Sequence, residues 1–114
     1  MTMKRKINTI LKATGLPVGY RMSDTSVLPR FSFSLLYNGA ERLSNERHNK
    51  RMIYQIDYFC LNSVEIETFP LFDEIIEELE ALNLTVADWQ ENSFYNEETE
   101  INLYHYILDV SGYG

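Results

Sequence analysis

The sequence predicts an α+β domain: a mainly antiparallel sheet of about four to five strands with two helices packed on one face. Three observations predict it. Two segments, residues 2–14 and 69–82, repeat apolar side chains at the three- and four-residue steps of a helix. Residues 30–37, 52–61 and the closing "EINLYHYILDVS" are aromatic and β-branched, with apolar positions recurring at a period of two. The elements follow in the order α–β–β–β–α–β–β, which lays helices on a sheet instead of alternating them with parallel strands.

Each element has its own grounds. Ile7, Ile10 and Leu11 give the first helix a short apolar face, and Gly15 followed by Pro17 is a usual stop. "PVGYRM" reads as a short strand and "SDTSVLP" as a turn-rich connection. From Arg30, Phe31, Phe33, Leu35 and Tyr37 share one face, with Ser32 and Ser34 between them. Met52, Ile53, Tyr54, Ile56, Tyr58, Phe59 and Leu61 form a long second partner strand. Between the two lies "NGAERLSNERHNKR", residues 38–51. It is far longer than the two to five residues of an ordinary hairpin loop. Leu43 is its only large apolar side chain, so it is either a loop or a hairpin extending past the sheet with "SNER" near the tip.

Thr68 is placed to cap a second helix, with Pro70 in the first turn. Phe69, Phe72, Ile76, Leu79 and Leu82, with Ile75 beside them, make its apolar stripe, and Asp73, Glu74, Glu77, Glu78 and Glu80 fill the remaining surface. "LTVADWQENSFYN" gives one more strand region before the closing strand.

The length of 114 residues fits one domain, 1–114. No apolar run approaches the ~18–20 residues that cross a bilayer. The basic N-terminus lacks a continuous apolar core and a small-residue cleavage site, so it reads as mature protein. A single cysteine, Cys60, excludes an internal disulfide and a multi-cysteine zinc site; it reads as a buried small hydrophobe in a reducing cytoplasm.

Charge is divided along the chain. All ten Lys and Arg fall in residues 4–51 with only three acids, a net of +7, whereas from Met52 onward there are fourteen acids and no Lys or Arg. Either the halves interleave in space and neutralise one another, or opposite charges occupy separate surfaces on which copies dock head to tail, as in a ring. A third reading, a basic arm for nucleic acid, meets repulsion between phosphate and the acidic remainder.

Chemistry-bearing patterns are absent. His48 lies among charges and His105 alternates with apolar residues on a strand; neither has a second ligand at metal spacing. No phosphate-binding glycine loop, nucleophile elbow or H-E-x-x-H pattern occurs. Cys60 with His105 would make a nucleophile and base, but a lone cysteine inside an apolar strand is more often core. The expectation is a protein with no catalytic residue, metal or cofactor. The eight Tyr and six Phe also reach both faces of the strands, Tyr54 and Tyr58 against Phe59, Tyr104 and Tyr106 against His105. A sheet apolar on both sides is expected to meet another copy.

One resemblance covers nearly the whole chain. "GLPVGYRM", "LPRFSFSLLYNG", the polar stretch, "RMIYQIDYFC", the acidic helix "FPLFDEIIEELEALNL" and the closing "ADWQENSFYNEETEINLYHYILDV" resemble the tail terminator, or tail completion, proteins of long-tailed bacteriophages. The resemblance is one of element order and local character. It implies a ring, typically a hexamer, in the virion at the head–tail junction, assembled in the host cytoplasm. Such a ring caps the tail tube and receives the head-side connector or stopper, with the genome passing through without specific binding and no membrane involved. It also implies that the connection at residues 38–51 makes contacts between neighbours or with the tube. Arg42, Arg47, His48, Lys50 and Arg51 are then the candidate contact residues, with Glu74, Glu77 and Glu78 as acidic counterparts. A neck or head-completion role, or a small nucleic-acid-binding regulator using the basic half, are the alternatives.

Overall fold

The computed structural model of the chain describes residues 2–21, 27–40, 50–92, 94–96 and 101–113. Its elements are α1 (Met3–Lys12), β1 (Val18–Tyr20), β2 (Arg30–Ala40), β3 (Lys50–Cys60), α2 (Pro70–Ala81), β4 (Thr85–Val86), β5 (Gln90–Glu91), β6 (Phe94–Asn96) and β7 (Ile101–Tyr113). The fold is α+β, as the order of periodicities predicts: two helices on a mostly antiparallel sheet.

The sheet runs β1-β2-β3-β7, and β4, β5 and β6 pair in succession with β7. Only β1 and β2 are parallel among these pairs. The expected single strand over "LTVADWQENSFYN" is instead three short strands in series along one edge. Main-chain bonds from Ala87 to Asp109 (3.0 Å) and from Asn92 to His105 (2.7 Å) carry the contact across the breaks.

In α1, the Thr2 hydroxyl accepts from the Arg5 N–H at 3.2 Å, and Met3, Ile7 and Leu11 are buried at four-residue steps. Met3 thus joins the face, while Ile10 lies at its rim. The helix stops where Gly15 takes φ +84°, a conformation glycine adopts without strain. α2 begins differently from expectation. Phe69, not Thr68, is the N-cap and supplies no side-chain bond, leaving Pro70 at the start to limit the number of unsatisfied N–H groups.

Both helices cover one face. Phe31 and Phe33 of β2, Tyr54, Ile56 and Tyr58 of β3, and Tyr106, Leu108 and Val110 of β7 point into it and are buried, together with Phe72, Ile75 and Leu79 of α2. Phe72 is the hub. It stacks on Trp89 at 3.9 Å between ring centroids and 11° between planes, and meets Tyr58 and Tyr106 edge-on. Such aromatic contacts add to the area each ring removes from water. Tyr106 closes the layer: its hydroxyl accepts from the Val64 N–H at 3.0 Å and faces the Val64 carbonyl at 3.3 Å. At Gly112 the packing is close: a Cβ there would meet the end of the Leu84 side chain at 2.7 Å, so Leu84 would have to shift to admit one.

Past the Met52↔Gly112 pair, where Met3 of α1 lies close to Gly112, the described pairing of β2 and β3 continues for two more residue pairs. β2 and β3 have eleven residues each, about 37 Å at ~3.4 Å per residue. The helices have ten and twelve, about 15 and 18 Å. A register shift between Leu35 and Tyr37 leaves Leu36 53 % exposed. Beyond it the pairing continues through Asn38↔Met52, Gly39↔Arg51 and Ala40↔Lys50. The described ends of residues 38–51 belong to the sheet, Arg51 pairing also with Tyr113 of β7; residues 41–49, on which the choice between loop and extending hairpin falls, lie outside the described residues.

Candidate interaction surfaces

The connection at residues 38–51 carries most of the contact residues expected from sequence. Lys50 and Arg51 begin β3, and Arg51 is exposed where it pairs with Gly39 on one side and Tyr113 on the other. Arg42, Arg47 and His48 lie outside the described residues. Near the base of the connection a cleft of about 230 Å³ is lined by Arg51, Ile53, Val86, Asp109 and Ser111, among others.

The helix layer sorts charge. α1 packs against β1 and α2 against β4, so the helices sit towards opposite edges of the sheet. Between them lies a cleft of about 430 Å³, with Ile10, Ala13 and Thr14 on one wall and Glu74, Ile75 and Glu78 on the other. Glu74 and Glu78 line the cleft against α1, and Glu77, about 60° round the helix from Glu74, adjoins Asp73 and Glu80 on the exposed side. On α1 the helical period puts Lys6 in the row of Ile10 and Ala13, and puts Lys4, Asn8 and Lys12 in a row on the other flank. That flank opens into a cleft of about 290 Å³ lined by Thr2, Lys4, Arg5, Asn8, Tyr20 and Phe33, with the Lys4 ammonium 3.8 Å above the Tyr20 ring. Among the described residues no ion pair joins an α1 cation to an α2 carboxylate. Adjacent in the fold, the two helices do not neutralise one another by direct pairing.

The other face of the sheet is less apolar than its aromatic content predicts. Arg30, Ser32, Gln55, Asp57, His105 and Asp109 all fall on it by strand alternation. At its centre Asp57 Oδ1 accepts from Gln55 Nε2 at 2.7 Å and lies 2.9 Å from His105 Nε2. The His105 ring stacks on Phe59 at 4.3 Å and 16°. Register explains the cluster: Phe59 pairs with His105 and Asp57 with Ile107, so Asp57 reaches His105 on the diagonal. Arg30, opposite Phe59 in the ladder, is buried along with Ser32 and Asp57. Sequence reasoning missed this group. Its signal was the set of polar residues in one strand phase, but only the register between β3 and β7 shows that Asp57 and His105 meet.

The imagined Cys60–His105 pair does not form. Cys60 is buried on the helix-covered face, and His105 projects from the opposite one. The Cys60 thiol donates to the Asn62 carbonyl at 3.1 Å, and burial pushes its pKa up, partly offset by that bond. It is a thiol and not a thiolate at neutral pH, the wrong state for a nucleophile. Among the described residues no group of three or more His, Cys, Asp or Glu side chains is placed to hold a metal ion, and no helix is long and apolar enough to cross a membrane.

Compared with known proteins, the chain matches no protein-family model, and no curated protein matches it significantly.

Proposed function

We propose that the protein is a non-enzymatic assembly subunit, of the kind that forms the ring closing the tail tube of a long-tailed bacteriophage and receiving the head-side connector. Its partners on this reading are further copies of itself, in a hexamer, the tube below and the connector above, and its place is the virion's head–tail junction. The observation that supports the reading is the continued pairing of β2 and β3 through Gly39↔Arg51 and Ala40↔Lys50, which sets the basic connection of residues 38–51 at one end of the sheet. The connection has one large apolar residue, Leu43, and so little to bury against its own core. Contacts made by its basic residues would be with another molecule. A ring of net-acidic subunits would let DNA pass without adhering, since like charges repel.

The test is the double variant Arg47→Glu/Lys50→Glu, compared with wild type by native mass spectrometry, circular dichroism and electron microscopy with tail tubes. Folding is expected to be kept and ring or tail attachment lost. Unchanged attachment removes the connection from the assignment. Titration of duplex DNA at low salt serves the nucleic-acid alternative: affinity falling steeply as salt rises would replace the assembly reading.

A further inference from the structure

We propose that the outer flank of α1 docks on the outer flank of α2 of a second copy, a head-to-tail contact between unlike surfaces. The inference rests on the assembly reading above but assigns a different surface, one that the connection at residues 38–51 does not include.

Two rows define it. On α1, Lys4, Asn8 and Lys12 stand at successive four-residue steps with Arg5 beside them, on the flank turned away from α2. On α2, Asp73, Glu77 and Glu80 stand at steps of four and three on the solvent-exposed side, outside the cleft that Glu74 and Glu78 line against α1. Lys4, Arg5 and Lys12 are exposed, as are all three acids. Each row spans about two helical turns, about 12 Å on α1 and about 10 Å on α2 at 1.5 Å per residue. Opposite charges thus stand at matching lengths on opposite sides of the same layer.

Within the described part of the subunit the acidic row has no cation beside it, and of the basic row Lys4 lies over the Tyr20 ring. Among the described residues none of these acids forms an ion pair, and α2 has no basic residue in its last turn or anywhere along it. Five acids on twelve residues repel one another and gain nothing from i,i+4 pairing. The basic flank is also shaped to receive a carboxylate, since the 290 Å³ cleft places Lys4 and Arg5 beside the Asn8 amide and the Tyr20 ring. A basic row at one edge and an acidic row at the other suit a heterologous contact, and heterologous contacts close into rings when the rotation permits.

Three proteins decide it: wild type, the basic-row reversal Lys4→Glu/Lys12→Glu, and the acidic-row reversal Asp73→Lys/Glu77→Lys. Sedimentation velocity and native mass spectrometry at low and high salt read the association. Wild type is expected to self-associate at low salt and to weaken as salt screens the contact. Each reversal alone is expected to weaken association roughly tenfold or more. An equal mixture of the two is expected to recover it, because every contact in an alternating assembly again joins opposite charges. Recovery also excludes misfolding as the cause of the loss. Wild type that stays monomeric at low salt, reversals without effect, or a mixture that fails to recover would each overturn the proposal. A variant of the connection, Arg47→Glu/Lys50→Glu, run alongside separates the two readings: if it associates normally while the row variants do not, the helix contact stands and the assignment of the connection falls.

Discussion

The two faces of the sheet use the same alternating strands to opposite ends. The helix-covered face is a layer of rings, Phe72 on Trp89 with Tyr58 and Tyr106 around them, held by shape and exclusion of water. The other face, which neither α1 nor α2 covers, buries Arg30, Ser32 and Asp57 and carries hydrogen bonds centred on one carboxylate. On the first face a side chain matters for the volume it fills; on the second it matters for the atom it pairs with. The difference teaches why one strand phase tolerates polarity. A buried polar group costs free energy only when unpaired, and Gln55 and His105 pair Asp57.

The largest expected effect breaks the first face. Phe72 is fully buried and touches four other rings, so Phe72→Ala removes apolar area and leaves a cavity that flanking helices and strands cannot close. A loss of about 3–5 kcal/mol is expected, much of the ~5–15 kcal/mol that holds a typical domain folded. Urea denaturation followed by the fluorescence of Trp89, the only tryptophan, measures it directly. A loss below that of an ordinary surface change would mean that the stack is ornamental and the layer is held elsewhere.

The second effect is smaller and has a different signature. Asp57→Ala takes the acceptor from Gln55 and His105 at once, and about 1–3 kcal/mol is expected to follow from the stranded donors. The double variant Asp57→Leu/His105→Leu is expected to cost less than the sum of the two single Leu variants, because it removes donor and acceptor together. If the costs simply add, the pair is a neighbourly contact and not the centre of that face.

Much of this contrast was legible in the sequence. Phe31 and Phe33 alternating with Ser32 and Ser34 fixed which phase of β2 faces the helices, and Phe72, Ile75 and Leu79 marked the buried stripe of α2. The acidic remainder of α2 and the basic flank of α1 were visible as charges, although their sorting into inner and outer rows needed the positions of the two helices. What the sequence did not carry was pairing at a distance. Trp89 meets Phe72 across seventeen residues and Asp57 meets His105 across forty-eight, separations that no local period encodes. Thr68 misled for a local reason: its residue type suits a cap, but Pro70 sets the start of α2 one position later.

Alkali offers the gentlest way to tell the faces apart. Burial raises the pKa of Tyr54 and of Cys60, and burial, helped by the nearby Cys60 and Tyr106, pushes Tyr58 up to about 12 from 10.0. All three point into the helix-covered face, where a charged oxygen or sulfur would lose its water. The folded chain therefore holds these protons more tightly than the unfolded chain does. Their contribution is fully present below the unfolded values, near 9.0 for the thiol and 10.0 for the tyrosines, and it is lost as pH rises through the folded ones. Urea midpoints are expected to hold steady up to about pH 9 and then fall towards pH 12. Tyr58→Phe is expected to flatten that fall, since a phenyl ring fills the same place with no proton to lose. If Tyr58→Phe leaves the alkaline slope unchanged, the hydroxyl is solvated in the folded state and the dry character of this face ends short of Tyr58.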